Sequence, residues 1–382
     1  MIKNFSLKLV LSLITIVSLS CSSDNDNNSM EEDTIDNPDE DTVDDLQDIS
    51  SFLVIGRDTN ENTFQYDFSK ESQSGELKNI TDQTPPFFNA VNFKENLLSF
   101  YQLQSLWIKD INTNNIITRE NFFDPSDGES VFLNENSGST IFTAYEKPLI
   151  SNDLYIRAED IATSTEVDIL IGKADWVYGL LYSQNRLIIA YSLTENLDTS
   201  HYVSVLNTID NTIVKTLKFD SQVQFISTDN SGNLFLRHGF SFTFGLYTLN
   251  DMELTKEYTI EAGIEGIDYG LYKENSVYYL QPLAQPGPYA YYPAVYNLET
   301  KTNKVIDFFV AFNDYKSNNN IAGISIIDSV FDFDKNTVLI STYLTYADQT
   351  FKAGIFEFDI DGNMLSDIII DEAFSPLYIF LK

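Results

Sequence analysis

The stretch Ser329–Ile370, SVFDFDKNTVLISTYLTYADQTFKAGIFEFDIDGNMLSDIII, decides the fold. It contains four β-rich runs: SVFDFD, TVLISTYL, AGIFEFD and MLSDIII. Lys335-Asn336 separates the first two runs and Asp361-Gly362 separates the last two, and both pairs are typical of tight hairpin turns. The polar segment TYADQTFK joins the middle runs. The stretch therefore predicts a four-stranded antiparallel meander.

The same unit recurs along the chain, marked by an Asp or Asn near the end of each third strand. These anchors are Asp67, Asp110, Asp160, Asn207, Asn250, Asn297 and Asp359. Their successive spacings are 43, 50, 47, 43, 47 and 62 residues. Four strands in each period of about 40–50 residues are characteristic of propellers. The sequence thus predicts an all-β fold for residues 49–382, a seven-bladed β-propeller of four-stranded antiparallel blades.

The first blade has only three strands of its own, at 51–57, 62–68 and 76–80. At the other end of the chain, Pro376–Lys382 (PLYIFLK) is a lone β-rich run without partners. Each blade needs its neighbours to bury its faces, and an unpaired apolar strand is prone to aggregate. We therefore predict that the C-terminal strand is the innermost strand of the first blade and closes the ring.

The N-terminus has the features of a lipoprotein signal peptide. Lys3 and Lys8 flank the start of a short apolar stretch, Leu9–Leu19, and small residues precede Cys21. This segment resembles the lipobox of bacterial lipoproteins, in which the cysteine is acylated and becomes the mature N-terminus. The resemblance implies a signal peptide at residues 1–20 and lipidation of Cys21, and several acyl chains would anchor the chain stably to a membrane.

Residues 22–48 contain twelve acidic residues and no Lys or Arg. Such a segment stays disordered and extended, so we predict a tether between Cys21 and the propeller. Acidic residues soon after a lipidated cysteine resemble the surface-export signals of Bacteroidota-type lipoproteins. The resemblance implies an outer-membrane protein, lipid-anchored and exposed at the cell surface.

Composition excludes several functions. The formal net charge is −34, whereas nucleic-acid binders need a basic surface, so no nucleic-acid partner is expected. One cysteine allows no intrachain disulfide, and two histidines, His201 and His238, cannot form a His-rich metal site. No phosphate-binding Gly loop, nucleophile elbow or zinc ligand set occurs, so neither cofactor nor metal is predicted. The Asp-rich segments at Asp332 and Asp359 are interpreted as hairpin turns, since neither follows the EF-hand spacing.

The two ends of the predicted ring differ. Turns between first and second strands and between third and fourth strands share one end, here named the short-turn face. Connections between second and third strands and links between blades share the other, the long-loop face. Binding residues concentrate on long loops held by a rigid scaffold, so the long-loop face is the expected working face.

Candidate ligand-binding residues on that face are aromatic and acidic. The loop Gln281–Pro293 is stiffened by prolines and carries tyrosines that could stack on a sugar or pack on a partner. Alternatively, these rings pack onto their own blades. The candidates are Tyr289, Tyr291, Tyr292, Trp176, Phe87, Phe88, Asp124, Asp127 and Asp175, with Glu129 and Asp314 as further carboxylates.

The repeats resemble seven-bladed propellers of the YVTN/NHL/WD40-like type, although no blade carries a Trp-Asp or Gly-His signature. The resemblance covers residues 49–382 and implies a binding or interaction module, whose partner is a glycan, a peptide or an outer-membrane protein. The alternative is a propeller enzyme, a glycoside hydrolase or polysaccharide lyase that uses carboxylates of the long-loop face. No catalytic signature is present, so an enzyme is the less favoured hypothesis. A third hypothesis is a purely structural subunit of an export or uptake complex.

Overall fold

The structure is a computed structural model that describes residues 49–88, 90–94, 96–102, 105–122, 129–147, 151–229, 231–238, 243–259, 271–282 and 291–382. The described residues form seven four-stranded antiparallel sheets. The chain divides into residues 1–45 and 46–382, and all the described residues belong to the second unit. The all-β seven-bladed propeller predicted from the repeats is confirmed.

The strands of blades 1 to 4, in chain order, are as follows. Blade 1 contains β1 (Phe52–Arg57), β2 (Thr63–Ser69) and β3 (Ser74–Asn79); blade 2 contains β4 (Ala90–Lys94), β5 (Leu97–Gln102), β6 (Ser105–Asp110) and β7 (Ile116–Arg119). Blade 3 contains β8 (Ser130–Asn136), β9 (Thr140–Lys147), β10 (Ser151–Asp160) and β11 (Glu166–Lys173); blade 4 contains β12 (Trp176–Ser183), β13 (Arg186–Glu195), β14 (Asp198–Asn207) and β15 (Thr212–Phe219).

The remaining blades follow the same order. Blade 5 contains β16 (Val223–Thr228), β17 (Asn233–His238), β18 (Thr243–Thr248) and β19 (Leu254–Thr259); blade 6 contains β20 (Leu271–Lys273), β21 (Ser276–Pro282), β22 (Tyr291–Asn297) and β23 (Thr302–Val305). Blade 7 contains β24 (Ile321–Asp332), β25 (Thr337–Tyr346), β26 (Phe351–Asp359) and β27 (Met364–Ile370), and the chain ends with β28 (Ser375–Leu381). The first strands of neighbouring blades lie side by side around the axis, as β8, β12, β16 and β20 do.

The C-terminal strand closes the ring as predicted. β28 pairs with β1 in antiparallel register, from Phe52 opposite Leu381 to Arg57 opposite Ser375, which makes it the first strand of blade 1. It also contacts β24 of blade 7. There the Asp328 carboxylate accepts the backbone N–H of Ile379 at 3.0 Å. One strand therefore joins the two ends of the propeller domain.

Seven hydrophobic clusters hold the blades together, and each contains residues of two adjacent blades. In β1, Phe52 and Val54 point into the cluster shared with blade 7, while Leu53 and Ile55 point into the cluster shared with blade 2. All four side chains are fully buried. Second strands are therefore apolar on both faces, because each face packs against another sheet.

The anchor residues cap the turns that follow third strands. Side-chain oxygens of five anchors accept backbone N–H groups of the next turn: Asp110, Asp160, Asn207, Asn297 and Asp359. Asn and Asp are favoured there because their short side chains hydrogen-bond the backbone two or three residues ahead. Two anchors differ. Asp67 pairs with Lys382 at 2.6 Å, and Asn250 accepts a hydrogen bond from Arg186 at 3.3 Å.

Hairpin turns between first and second strands contain the backbone conformation that was expected. Asn96, Asn185, Asn275 and Asn336 all have φ between 56° and 69°, the left-handed region that asparagine tolerates. These turns and the anchor turns lie at the same end of the ring, which confirms the composition of the short-turn face.

Blade 7 differs from its prediction in two places. Its first strand begins at Ile321, so β24 extends eight residues before the predicted start at Ser329. The second and third strands are longer than expected, and their connection shrinks to residues 347–350. The residues flanking this loop are polar, yet they pair between the two strands and extend the ladder to Thr345 opposite Phe351. The apolar pattern of the sequence alone did not indicate this extension.

Residues 309–318 form a helix where a loop was expected. α1 (Phe309–Asn318) follows the short outer strand β23 and is the one α-helix among the described residues. Phe312 is fully buried and packs edge-on against Phe356 and Phe358 of blade 7, at 5.0 and 5.1 Å between ring centroids. The helix thus covers the outer part of the junction between blades 6 and 7. None of the described helical segments is both long and apolar enough to cross a bilayer.

Candidate functional site

A pocket of about 680 Å³ lies at the axis on the short-turn face. Its wall is formed by the ends of first strands and by the turns that follow them, in six blades. The lining residues include Phe380 of blade 1, Lys94 of blade 2, Glu135 of blade 3, Tyr182 of blade 4, Asp229 of blade 5 and Leu271 of blade 6. The pocket therefore exists only because the ring is closed.

Lys94 and Glu135 place opposite charges in this wall. The ammonium of Lys94 donates to the backbone carbonyl of Tyr182 and lies 4.5 Å from the centre of the Tyr182 ring. One oxygen of Glu135 accepts the N–H of Asn136 at 2.8 Å. Burial raises the pKa of the Glu135 carboxyl, and the Asn136 N–H and the Lys94 ammonium oppose that shift.

Asn136 fixes the turn behind Glu135. Its amide donates to Ser99 at 3.2 Å and to the hydroxyl of Tyr101, while its oxygen accepts the N–H of Gly138 at 2.9 Å. Gly138 has φ of 86°, and a Cβ there would meet Leu97 at 2.4 Å. Both the backbone conformation and the close approach therefore require glycine, so the pocket wall is rigid here.

On the long-loop face, Trp176 is the most exposed of the candidate rings that the structure describes. It begins β12, and 61% of its surface is exposed. Phe132 contacts the indole edge-to-face, with centroids 6.0 Å apart and planes at 73°. One ring edge is therefore held while a large part of the indole stays accessible.

Asp175 precedes this tryptophan and serves the scaffold. Its two carboxylate oxygens accept the Asn152 amide at 2.7 Å and the N–H of Thr194 at 2.6 Å. These bonds tie the link between blades 3 and 4 to both blades. Glu146 lies nearby, and burial together with the charge of Asp175 raises the pKa of its carboxyl. Both oxygens of Asp175 thus hold the junction that precedes Trp176.

Phe87 and Phe88 share one cation. The Arg57 guanidinium lies 4.0 Å from the Phe88 ring centre and 5.9 Å from that of Phe87. Phe88 is half-buried against Phe100, at 5.2 Å, whereas Phe87 is 54% exposed. The Phe88 ring therefore packs within the blade, whereas the Phe87 ring is accessible at the protein surface.

The two described tyrosines of the 281–293 loop divide in the same way. Tyr292 is only 5% exposed and stacks on Phe308 at 4.9 Å, so its ring belongs to the core. Tyr291 is 54% exposed. Strand alternation explains the difference, because adjacent residues of β22 point to opposite faces of the sheet.

A shallower pocket of about 330 Å³ lies on the long-loop face between blades 7 and 1. Arg57, Ile327 and Tyr343 contribute to its lining. Phe351, which is 40% exposed, stacks on Tyr343 at 5.1 Å. Within the described part of this face, aromatic rings are thus exposed at four separate positions.

The remaining sequence candidates either lie outside the described residues or contribute no exposed aromatic ring. Tyr289, Asp124, Asp127 and Cys21 lie outside the described residues, as does the tether. Asp314 is exposed on α1, and Glu129 is half-buried just before β8. His201 is half-buried beside Tyr178 (6.2 Å), and burial lowers the pKa of its imidazole. His238 lies in β17.

The two Asp-rich segments are hairpin turns. Asp359 accepts the N–H groups of Asp361 and Asn363 at 2.9 Å and the Asn363 amide at 2.8 Å. Asp332 similarly accepts the N–H of Asp334 at 2.9 Å. Among the described residues, no group of three or more His, Cys, Asp or Glu is placed to hold a metal ion.

Sequence reasoning missed the axial pocket. Its residues are single positions from six repeats, and no local motif connects them. The available signal was a lysine and a glutamate near the ends of adjacent first strands, Lys94 and Glu135, where an apolar residue would be the ordinary choice for a buried sheet.

Similarity to known proteins is found in structure and not in sequence. No protein-family model matches the chain, and no curated protein sequence matches it. Among solved structures, the chain is similar to Hsv2 of Kluyveromyces lactis, with 11% identity, a TM-score of 0.45, and coverage of 82% of this chain and 96% of that one.

Proposed function

We propose that this chain is a binding module of the cell envelope, anchored through lipid on Cys21, that recognises a glycan on its long-loop face. The observation that carries the proposal is the exposure of flat aromatic rings on this face, above all Trp176 at 61%. Tyr and Trp offer a large rigid contact area with a polar edge, which suits a ligand that is both hydroxylated and apolar on its ring faces.

The distribution of these rings favours a glycan over a protein partner. Phe87, Trp176, Tyr291 and Phe351 belong to different blades or links around the ring. A stable protein interface needs about 800 Å² of contiguous surface on each partner, with an apolar centre. Separate rings on different blades instead suit an extended polymer that contacts one ring at a time, with affinity gained by multivalency.

The attachment point of the proposed tether is consistent with this use. Ile49, the first described residue, is buried at the short-turn face, and Ser50 donates to Asp332 at 2.7 Å there. An extended segment of 27 residues reaches up to about 90 Å. The tether would therefore enter the propeller at the face opposite the exposed rings.

The test is polysaccharide binding by the full-length chain, measured on a glycan array and by affinity electrophoresis. We expect at least one polysaccharide to bind, and Trp176→Ala to weaken that binding about tenfold or more. Ile209→Ala is the matched control, because Ile209 is 74% exposed but lies in a turn of the short-turn face. Equal binding by both variants and the wild type would refute the proposed site.

Anchoring is tested separately by growth with a radiolabelled fatty acid. We expect the full-length chain to carry label and to fractionate with the outer membrane, and Cys21→Ser to lose both properties. Label retained on the serine variant would show that Cys21 is not the acylated residue. Treatment of intact cells with an external protease then checks surface exposure, since only a surface protein is cleaved.

A further inference from the structure

Glu146 of blade 3 faces the blade that carries Trp176. It lies near the long-loop end of β9. Along this strand, Phe142 and Ala144 point into the cluster shared with blade 4, whereas Tyr145 points into the cluster shared with blade 2. Because side chains alternate along a strand, Glu146 belongs to the same side as Phe142 and Ala144. Its carboxyl is therefore directed towards the junction between blades 3 and 4.

Strand register also places Glu146 close to the ring that supports Trp176. Glu146 lies opposite Ser130 of β8, and the Cα atoms of such partners are about 5 Å apart. Two residues farther along β8, a step of up to about 7 Å, Phe132 contacts the Trp176 indole at 6.0 Å. The carboxyl and the exposed indole therefore lie at the same blade junction and at the same end of the ring.

The Glu146 carboxyl is available to a ligand, whereas the carboxylate beside it is not. Glu146 is half-buried, and no described side chain or backbone group forms a hydrogen bond or an ion pair with its carboxyl. The oxygens of Asp175 accept hydrogen bonds from Asn152 and Thr194, but these donors are neutral and leave the negative charge of Asp175 in place. Burial and that charge raise the pKa of the Glu146 carboxyl. A cation next to Glu146 would oppose both effects and stabilise its carboxylate form.

These surroundings discriminate between sugars by charge. A sugar hydroxyl and a sugar ammonium can both donate to a carboxylate, but the charge-assisted bond of the ammonium is roughly twice as strong. The face of an indole also attracts an ammonium group. A sugar acid would instead be repelled by Glu146 and Asp175, and the formal net charge of −34 acts in the same direction.

We propose that the Trp176 site prefers an amino sugar, a hexosamine unit with a free ammonium group, and that Glu146 is the residue that selects it. The pyranose ring packs on the exposed indole, and the ammonium donates to the Glu146 carboxylate. Asp175 adds to the negative potential without contacting the ligand. This inference rests on the proposed glycan binding and adds a charge preference to it.

The test compares three β-1,4-linked tetrasaccharides that share one backbone and differ only in the group at carbon 2. Chitotetraose carries ammonium groups, its fully N-acetylated form carries neutral amides, and cellotetraose carries hydroxyls. Calorimetry on the full-length chain at about pH 6.5, where amino groups are protonated, gives the three affinities. We expect chitotetraose to bind about tenfold more tightly than either neutral probe. Raising the salt concentration from about 0.05 M to about 0.5 M should reduce this preference, because salt screens charges.

Three variants assign the preference to its residue. Glu146→Gln should weaken chitotetraose binding about tenfold and change cellotetraose binding by less than about twofold. Glu253→Gln is the matched control, because it removes the same charge from an exposed position on the short-turn face and should leave all three affinities unchanged. Trp176→Ala should weaken all three probes. The affinity order and its salt dependence are measured on the wild type, so they test the proposal even if Glu146→Gln does not fold.

Three results would overturn the amino-sugar preference. One is equal or tighter binding of a neutral probe, which would leave the proposed glycan binding intact if Trp176→Ala still weakens it. Another is an equal loss of chitotetraose binding in Glu146→Gln and Glu253→Gln, which would assign the preference to net charge and not to Glu146. The third is no binding of any of the three probes, and the glycan array then decides separately whether the chain binds other polysaccharides.

Discussion

At the short-turn face, five of the seven third strands end in an Asp or Asn that caps the following turn, whereas the long-loop face has connections that share neither length nor sequence. On that face, blade 4 joins its middle strands through two residues, Asn196 and Leu197, and blades 6 and 7 are linked through a helix. The same strands run between the two faces. The connections between strands are therefore regular at one end of the ring only.

Polar contacts between blades occur on both faces. On the short-turn side, Lys304 pairs with Asp361 at 2.5 Å, and Lys273 pairs with Asp334, each joining blade 6 to blade 7. Exposed pairs of this kind contribute up to about 1 kcal/mol each. On the long-loop face, Asp175 joins blades 3 and 4 through Asn152 and Thr194, and exposed aromatic rings lie around the same face. The comparison indicates that one face maintains the repeat, whereas the connections of the other face vary in length.

The largest expected effect is from removal of β28, the strand that closes the ring. Deletion of residues 376–382 removes β28, exposes the edge of β1 and opens the clusters on both sides of blade 1. We expect aggregation or loss of the cooperative unfolding transition, measured by size-exclusion chromatography and calorimetry. Lys382→Ala is the control, since it removes only the pair with Asp67. A native-like melting curve for the deletion would contradict closure by β28.

The ring was predictable because its determinants repeat. Asp110, Asp160 and Asp359 recur at blade spacing because five of the seven anchor turns use the same kind of cap, and the lone run Pro376–Lys382 matches the strand missing from blade 1. Repetition of a local requirement is visible in one sequence even without similar residues between the repeats.

The sites were not predictable to the same extent. Adjacent tyrosines, Tyr291 and Tyr292, look alike in sequence, yet strand alternation buries one and exposes the other. Asp175 was a candidate ligand residue, and the sequence did not indicate that its oxygens also bond Asn152 and Thr194 across the blade junction. Lys94 and Glu135 come from different repeats, and only ring closure brings them together. Contacts between repeats leave no periodic signal, which is why the axial pocket was not predicted.

The second prediction compares one residue from each face. Asp359→Ala removes the acceptor of three hydrogen bonds in its turn and should lower the free energy of unfolding by about 1 kcal/mol. Trp176→Ala, at an exposed position, should change it by less than about 0.5 kcal/mol. Urea unfolding monitored by circular dichroism measures both. A larger loss of unfolding free energy for Trp176→Ala than for Asp359→Ala would contradict this division of roles between the faces.

The third and smallest effect concerns two carboxyl groups with opposite pKa shifts. Burial raises the pKa of the Asp328 carboxyl at the ring closure, and hydrogen bonds from the N–H groups of Ile379 and Ser329 oppose this shift. Hydrogen bonds from Asn112 and Thr113 lower the pKa of Asp110 in its turn. Unfolded aspartate has a pKa of about 3.9. The two groups should therefore affect the pH dependence of stability with opposite signs.

For Asp328, the folded state keeps a proton that the unfolded state has lost as pH rises above about 4, so stability falls with rising pH up to the folded pKa. For Asp110, the unfolded state holds the extra proton below about pH 4. The stabilising contribution of the Asp110 carboxylate is therefore present above that pH and is lost as pH falls through the folded pKa.

Urea unfolding of the wild type, Asp328→Asn and Asp110→Asn between about pH 3 and 7 measures the two differences. We expect the wild type to lose stability relative to Asp328→Asn with rising pH and to gain it relative to Asp110→Asn. Differences of the same sign would show that Asp328 is not held in a desolvated site at the junction that β28 closes.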